Sequence, residues 1–297
     1  MIFFMNKYLT RFFIVCLLIS FNVNSDESVT DCLKLIKENQ CIEAINVCST
    51  YAEKGDPRAQ MSLGFLYSGT RHGDFRRNYK QSFAWMSKAA DQGFTKAELA
   101  IAEMYMGGEV VPLNAKKAKA WYEKAAEKGN LDGINGIARL YRYGTGVRKN
   151  HETSFKLYEQ AALQGHTRSQ VGLGLSYRDA KGVKKNLVKA YAWLLIASEK
   201  VDDRKFKDLE KAFKEESEKI DKTIPNCKYV LSSNEFGERF AIGYAKRLLL
   251  DLKKRMSAKQ TKKAKALAIE LKASITCLLY TSPSPRDRSV SRMPSSA

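Results

Sequence analysis

The stretch LDGINGIARLYRYGTGV, residues 131–147, occurs in three further versions along the chain. The other copies are GDPRAQMSLGFLYSG from Gly55, TKAELAIAEMYMGG from Thr95 and TRSQVGLGLSYRDAKGV from Thr167. A second segment also recurs, as SFAWMSKAADQG, AKAWYEKAAEKG, SFKLYEQAALQG and KAYAWLLIASEK. The copies follow one another with a period of 36 residues, lengthened to 38 in the first copy by a longer loop. Self-similarity at a fixed period of this length predicts a repeat protein.

Each repeat is expected to fold as two helices. In the first segment, small or apolar residues at offsets 0, 4, 5 and 8 share one helical face, as do Ala59, Leu63, Gly64 and Tyr67. An asparagine then stands where the second helix needs an N-cap, at Asn78, Asn114, Asn150 and Asn186. The second helix is predicted to bury one large residue, namely Trp85, Trp121, Leu157 and Trp193. Because one helix pair cannot bury its own apolar face, the copies are expected to stack into a solenoid.

These segments resemble the Sel1-like repeat family, relatives of the tetratricopeptide repeat with a slightly longer period. The shared pattern is A-x3-LG-x-x-Y-x2-G-x-GV-x2-N-x3-A-x2-WY-x-K-AA-x-x-G, found here in repeats at 56–93, 94–129, 130–165 and 166–201. The second repeat departs from it with Val110 and Val111 where GV is usual, and the third with Leu157 in place of the aromatic. The resemblance implies an all-α, right-handed α-solenoid with helical caps, whose first helices line the concave surface.

The segments that flank the repeats are predicted to cap them. Residues 26–55 resemble the helix pair that often precedes such arrays. Residues 202–276 are interpreted as a C-terminal extension and cap: an amphipathic helix at 203–220, an irregular stretch to about Phe240, and helices at 241–255 and 258–274. Ser257 and Gln260 stand in the register of a capping box at the start of the last helix.

The two ends of the chain are expected to lie outside the fold. Residues 1–25 carry two basic residues, an apolar run of about ten residues and small residues before Asp26, which predicts a secretory signal peptide. The run is too short for the roughly 20 residues of a spanning helix, so a permanent anchor is the weaker alternative. Residues 277–297 are rich in Ser and Pro and resemble translated sequencing-adaptor sequence. We expect this tail to be disordered and not native.

The composition excludes disorder of the whole chain and indicates an acidic or anionic binding partner. The chain has 297 residues, 44% of them hydrophobic, and its 51 Lys and Arg against 32 Asp and Glu give a net charge of +19. This balance favours an acidic protein or peptide, or an anionic envelope surface, as the partner. Nucleic acid is a poor fit, because no stacking aromatics are interleaved with the basic turns.

The cysteines and histidines do not form a metal-binding pattern. None of the six cysteines stands in a C-x-x-C pair, and the three histidines are scattered. If Cys32 and Cys48 lie on antiparallel helices joined near residues 38–40, the two come within disulfide reach. They form either a disulfide or buried free thiols. Cys41 and Cys227 are left free or joined over a long loop.

No catalytic constellation is evident, and we expect no enzyme activity, metal ion or cofactor. The segment GLGLSY, residues 172–177, superficially suggests a serine nucleophile, but the repeat pattern accounts for each of its glycines.

Two surfaces are candidates for binding. Offsets 2, 6 and 9 of the first helix share a face opposite the buried one and differ between repeats, which predicts a partner-binding groove of exposed apolar anchors and arginines. Its residues are Met61, Phe65, Leu99, Glu103, Met106, Arg139, Arg142, Leu175 and Arg178. The second surface is a basic ridge on the turns within the repeats, formed by Arg76, Arg77, Lys116, Lys117, Arg148, Lys149, Lys184 and Lys185.

The sequence thus predicts a non-catalytic scaffold that mediates protein–protein interaction. The predicted signal peptide places it in the periplasm or outside the cell, or in the endoplasmic reticulum lumen of a eukaryote. Two alternatives remain open: an envelope enzyme that acts on cell-wall material, and a binder of anionic lipid or glycan through the basic ridge.

Overall fold

The structure is a computed structural model that describes residues 25–38, 40–69, 78–108, 110–199 and 233–281. All regular structure in these ranges is α-helical. The helices are α1 Ser25–Lys37, α2 Cys41–Glu53, α3 Pro57–Gly69, α4 Tyr79–Asp91, α5 Thr95–Gly107, α6 Ala115–Glu127, α7 Leu131–Tyr143, α8 His151–Leu163, α9 Thr167–Asp179, α10 Leu187–Ser198, α11 Ser233–Arg255 and α12 Ala258–Thr281. The predicted signal peptide up to residue 24, the predicted helix at 203–220, Cys227 and the chain beyond residue 281 lie outside the described residues.

Helices α3 to α10 form the four predicted pairs, and each packs mainly against its neighbours in sequence. The first helices of the repeats are α3, α5, α7 and α9, and the second helices are α4, α6, α8 and α10. Buried side chains of the described residues form four clusters along the array. Three lie at the successive junctions from the N-terminal cap to repeat three, and the fourth spans repeats three and four and helices α11 and α12. The prediction of an all-α solenoid is confirmed.

The four asparagines cap the second helices as predicted. Each side-chain oxygen accepts a hydrogen bond from the backbone N–H three residues on, at 2.9–3.0 Å. Each asparagine N–H also donates to the carbonyl of a tyrosine in the last turn of the first helix, at 2.9 Å in all four repeats. The carbonyls belong to Tyr67, Tyr105, Tyr141 and Tyr177. This pair of bonds fixes both ends of the loop within each repeat.

The predicted large core position of the second helix is off by one residue. Trp85, Trp121 and Leu157 are only half-buried, although Trp193 is buried. The fully enclosed position is the next one, occupied by Met86, Tyr122, Tyr158 and Leu194. The tryptophans lie instead at the rim, where Lys88 Nζ stands 4.0 Å from the ring centroid of Trp85 and Lys124 Nζ 3.9 Å from that of Trp121. These ammonium groups shield the ring faces from water.

A disulfide joins the two helices of the N-terminal cap. Cys32 on α1 and Cys48 on α2 are bonded, with their Cα atoms 5.2 Å apart, so the disulfide is the alternative that the structure contains. Both cysteines are buried in a cluster that continues into α3 through Leu63 and Leu66. The cap therefore shares its core with the first repeat.

The C-terminal helix pair is longer than predicted. Helix α11 begins at Ser233, within the stretch expected to be irregular, and the contact of Thr167 Oγ1 with Glu238 Oε1 at 2.8 Å fastens this part to α9. Helix α12 continues to Thr281, into the segment predicted to be disordered, because the first proline after it is Pro283. The predicted capping box is confirmed, since Ser257 and Gln260 exchange hydrogen bonds of 2.9 and 3.2 Å.

Candidate functional site

The first helices of repeats two, three and four contact one another through polar side chains, and we call the surface that carries these contacts the first-helix face. Arg139 Nη1 donates to Glu103 Oε1 at 3.1 Å, across repeats two and three. Arg142 Nη1 donates to Ser176 Oγ at 3.1 Å, across repeats three and four. The structure therefore brings the predicted groove positions of neighbouring repeats together, as the repeat pattern requires.

The prediction of exposed apolar anchors on this face is wrong. Met61, Phe65, Leu99, Met106 and Leu175 are all half-buried and pack against the core clusters. The reason is that each of these side chains packs into a core cluster shared with a neighbouring repeat or cap, which covers part of its surface. The most accessible groove residues are charged: the side chain of Glu103 is 52% exposed and that of Arg139 45% exposed.

Two predicted arginines converge on one carboxylate at the end of α9. Arg178 contacts both oxygens of Asp179, with Nε 2.6 Å from Oδ1 and Nη2 3.0 Å from Oδ2. Arg142, on α7, places Nη2 3.6 Å from Oδ2 of the same group. The hydrogen bond from Arg178 holds the pKa of Asp179 below its ordinary value. Asp179 therefore stays ionised and is committed to these two guanidinium groups.

A cavity of about 290 Å³ opens beside this cluster, and we call it the basic pocket. Its basic lining residues are Arg142, Lys149, His151, Arg178 and Lys181, and the remainder of the wall is Tyr143, Leu175, Asp179 and Tyr244. Repeats three and four and helix α11 all contribute to it. The pocket joins residues of the predicted groove, Arg142 and Arg178, to Lys149 of the predicted ridge.

The cations around the pocket act on His151, the first residue of α8. Burial, and then the charges of Lys181, Lys149 and Arg142, lower the pKa of His151. The imidazole is therefore neutral at neutral pH. Its Nδ1 is buried and has no hydrogen-bond partner among the described residues.

The basic ridge is exposed wherever the structure describes it. Lys116, Lys117, Arg148, Lys149, Lys184 and Lys185 all face solvent. Lys117 also stands over the ring of Tyr105, with Nζ 5.3 Å from the centroid. Arg76 and Arg77 lie outside the described residues.

A serine, a histidine and an aspartate that the sequence analysis missed meet between α7 and α9. Ser169 Oγ lies 2.8 Å from Nδ1 of His166, and Nε2 of the same ring lies 2.9 Å from Asp132 Oδ1. Asn135 Nδ2 donates to Ser169 Oγ at 3.0 Å. Because Asp132 only accepts, Nε2 of His166 carries the proton of that hydrogen bond. Residues 34 positions apart in a repeat array are neighbours, which is the signal that could have revealed the cluster.

The cluster resembles a hydrolase triad in residue type, but its accessibility differs. Ser169 is 0% exposed and Asn135 5% exposed, so no substrate carbonyl reaches the hydroxyl. The three groups instead form a polar tie between two repeats. Sequence reasoning assigned GLGLSY to the repeat pattern, and Ser176 in that segment likewise bonds within the array, donating to the carbonyl of Gly172 at 2.9 Å.

The described residues have no second site at the predicted positions. A larger and mostly apolar cavity of about 920 Å³ lies between the end of α10 and α12, away from the predicted positions. No group of three or more His, Cys, Asp or Glu in the described ranges is arranged to hold a metal ion. In those same ranges, no helix has both the length and the apolar character needed to cross a bilayer.

Comparison with known proteins finds the same repeat family in the middle of the chain. The family model for the Sel1 repeat matches residues 57–94, 95–130, 132–166 and 167–202. A Sel1 repeat protein from Oxalobacter formigenes has 28% identity and a TM-score of 0.47 over 54% of this chain and 46% of its own. The antigen c5321 of uropathogenic Escherichia coli strains, which displays an SLR fold, has 24% identity and a TM-score of 0.50 over 78% of this chain and 48% of its own. This chain thus spans less than half the length of either structure. No curated protein matches it significantly.

An array of stacked helix pairs with a row of buried clusters between them defines an α-solenoid repeat protein. More particularly, the chain is a Sel1 repeat protein with four repeats across residues 57–202. Such repeats typically serve as scaffolds for protein interaction.

Proposed function

We propose that this protein is a scaffold that binds another protein or peptide along the first-helix face, in the cell envelope or secretory compartment. The family supports the scaffold role, and the apolar, basic segment at residues 1–25 supports the location. If the source is bacterial, the proposed location is the periplasm or the outside of the cell.

The observation that carries the proposal is the run of contacts along the first-helix face from repeat two to repeat four. The fold requires the same small and apolar residues in every repeat, whereas the exposed position of this surface changes from Glu103 in repeat two to Arg139 in repeat three. A surface that is continuous but differs at each step can recognise an extended segment residue by residue. The excess of arginine toward repeats three and four favours an acidic segment.

Exposure of the basic ridge supports a second candidate, attachment to anionic lipid or glycan. Six lysines and arginines of the ridge face solvent in the described residues. Such binding would be steeply salt-dependent and would depend on total charge. The third alternative, an enzyme acting on cell-wall material, finds no support in Ser169, because that hydroxyl is enclosed.

The proposal is tested by exchanging the charges of the ion pair on the face. In the variant Glu103→Arg/Arg139→Glu the ion pair can still form, because the two side chains lie 3.1 Å apart. Its outward pattern of charge is reversed. The hydroxyl of Tyr122 loses Glu103 as its acceptor, so circular dichroism would verify that the variant is folded. A photo-crosslinking side chain placed beside this pair in living cells of the source organism would identify the protein bound there, and the purified partner would then be titrated.

We expect the partner to bind the wild-type chain at physiological salt and to bind the exchanged variant at least tenfold more weakly. The ridge variant Lys116→Glu/Lys117→Glu should retain wild-type affinity. If only the ridge variant loses binding, and salt abolishes what the wild type retains, the first-helix face is not the binding surface and the ridge takes its place.

A further inference from the structure

The basic pocket is an unusual concentration of charge at the junction of repeat three, repeat four and helix α11. Arg142, Lys149, Arg178 and Lys181 line it, and Asp179 is the acidic residue in its wall. The side chain of Arg142 is only 10% exposed and that of Arg178 only 23% exposed. These two guanidinium groups are therefore partly buried, where repulsion between charges is less screened than on an open surface, whereas Lys149 and Lys181 line the pocket as exposed residues.

The one carboxylate does not balance these cations. Asp179 is shared between Arg178 and Arg142. Neither Lys149 nor Lys181 has an ion pair with any described residue. Two ammonium groups thus face the same small cavity as two guanidinium groups whose charge a single acid only half neutralises. An arrangement of this kind is expected where an anion completes the site.

We propose that the basic pocket binds a phosphate monoester, with its phosphate between Lys149, Lys181 and Arg142 and its organic part against Leu175 and Tyr244. A phosphate monoester carries a charge of about −1.5 to −2 at neutral pH. It therefore neutralises more of the excess than one carboxylate does. Its three terminal oxygens accept hydrogen bonds from several donors at once, which suits ammonium groups that approach from different elements.

The remaining wall suits an organic substituent. Leu175 is half-buried at the pocket, and the aromatic rings of Tyr143 and Tyr244 flank it. Tyr143 is 66% exposed and Tyr244 37% exposed, so both keep ring surface available for a ligand. The volume of about 290 Å³ lies near the lower end of the range for small-molecule sites, roughly 300–1,000 Å³. This size accommodates a phosphate with a small substituent.

His151 connects the pocket to a second observable. Its ring shares the pocket with Lys149, Arg142 and Lys181 as like charges and with Asp179 as the opposite charge. A bound dianion would offset the excess of positive charge that disfavours the imidazolium. Ligand binding should therefore raise the pKa of His151, which can be followed through the imidazole resonances in NMR spectra.

The proposal is tested with three probes that contain a phosphate group. They are inorganic phosphate, phenyl phosphate and vesicles that contain phosphatidic acid. The full chain would be titrated with each by calorimetry and NMR at constant ionic strength, so that a general salt effect does not imitate binding. We expect saturable binding of phenyl phosphate, weaker binding of inorganic phosphate, and a rise of His151 pKa with both. Vesicle binding stronger than that of phenyl phosphate would identify a lipid headgroup as the source of the phosphate.

Matched variants keep the test specific to the pocket. Lys149→Gln/Lys181→Gln should weaken phenyl phosphate binding at least tenfold, whereas Lys262→Gln/Lys263→Gln, with the same loss of charge on exposed α12 positions, should not alter it. Tyr244→Ala should remove the preference for phenyl phosphate over inorganic phosphate. Circular dichroism would verify that each variant is folded.

The proposal is overturned if none of the three probes binds saturably to the folded chain, or if both lysine pairs weaken binding equally. It goes beyond the scaffold function and does not depend on it, because the pocket variants leave Glu103 and Arg139 intact. Loss of partner binding in the exchanged variant and loss of phosphate binding in the pocket variant are thus separate results.

Discussion

Gly136 shows how closely single residues are matched across repeats. A Cβ atom built on Gly136 would lie 2.5 Å from two ring atoms of Tyr122, and one on Gly172 would lie 2.7 Å from the ring of Tyr158. Tyr122 cannot easily move aside, since it is 2% exposed and its hydroxyl donates to Glu103 at 2.7 Å. Burial and the nearby Glu103 carboxylate raise the pKa of Tyr122, so the phenol keeps the proton that it donates.

We predict that Gly136→Ala lowers the free energy of unfolding by about 1–2 kcal/mol. Forcing a methyl group into a packed site costs about 1–3 kcal/mol, and the better helix propensity of alanine returns part of it. The control is Gly107→Ala in α5, where an added Cβ meets nothing within 4 Å. Gly107→Ala should be neutral or slightly stabilising in urea denaturation. Equal effects of the two substitutions would show that packing at Gly136 does not matter.

Glu98 is a buried carboxylate at a position where two other repeats have glutamine. It is 1% exposed, and Lys128 Nζ contacts its Oε1 at 2.6 Å, while Oε2 has no partner among the described residues. Lys128 also donates to the carbonyl of Gly93 at 2.7 Å. The equivalent residues Gln60 and Gln170 are neutral and reach the carbonyls of the preceding helix.

We predict that Lys128→Met destabilises the fold by about 2 kcal/mol, because it leaves a buried charge without its donor. Adding Glu98→Gln should restore most of that loss, since the second repeat then resembles the first and fourth. Thermal and urea unfolding of the two single variants and the double variant would give the coupling energy. Additive losses would contradict this interpretation.

At the scale of elements, α7 and α9 are joined by the chain of hydrogen bonds from Asn135 through Ser169 and His166 to Asp132. Arg168 adds a contact of 3.3 Å with Asp132 Oδ1. Burial by itself would raise the pKa of Asp132, but the hydrogen bond with His166 and the charges of Arg168 and His166 outweigh it, and the pKa lies below its ordinary value of 3.8. The ionised carboxylate therefore stabilises the packing of the two helices.

A carboxylate with a lowered pKa in the folded state stabilises the protein above its unfolded pKa and loses that effect as the pH falls through the folded value. We predict that Asp132→Asn is less stable than the wild type by about 1 kcal/mol at pH 7, the net worth of a hydrogen bond. The difference should vanish as the pH falls from 5 to below 3.8. Urea denaturation across that pH range measures this difference. A difference that persists in acid would show that the charge of the Asp132 carboxylate is not its cause.

The elements also show where sequence reasoning succeeds. Local sequence rules predict the asparagine caps, which recur in all four repeats. They also predict the capping box at Ser257, which lies within one short motif. The buried position of the second helix was missed because Trp85 and Met86 are adjacent residues on that helix. Packing against the neighbouring repeat determines which of the two is covered. The basic pocket was missed in part because Tyr244 comes from a helix outside the repeat pattern.

At the scale of the molecule, stability is distributed along a line of separate cores. The N-terminal cap shares its cluster with the first repeat, whereas the C-terminal pair completes the cluster of repeats three and four. In such an array, each unit depends chiefly on its neighbours. A substitution that destabilises one end should therefore destabilise the neighbouring helices most and distant helices least.

We predict that Cys32→Ala/Cys48→Ala destabilises the N-terminal cap by about 3 kcal/mol, the loop-closure effect of a disulfide between residues of this spacing. The two cysteines are 16 residues apart in sequence. Native-state hydrogen exchange should show faster exchange in α1, α2 and α3 and unchanged exchange in α9 and α10. A uniform increase along all helices would indicate one global unfolding unit instead.

The bond between the tyrosine carbonyl and the asparagine N–H has a practical consequence for protein engineering. Tyr67 and Asn78 are separated by a longer stretch than Tyr105 and Asn114, yet the bond length is 2.9 Å in both repeats. The bond that closes the loop is thus the same for loops that differ in length by two residues. These loops are natural insertion points, where a foreign epitope or a short tag could be displayed without changing how the helices stack.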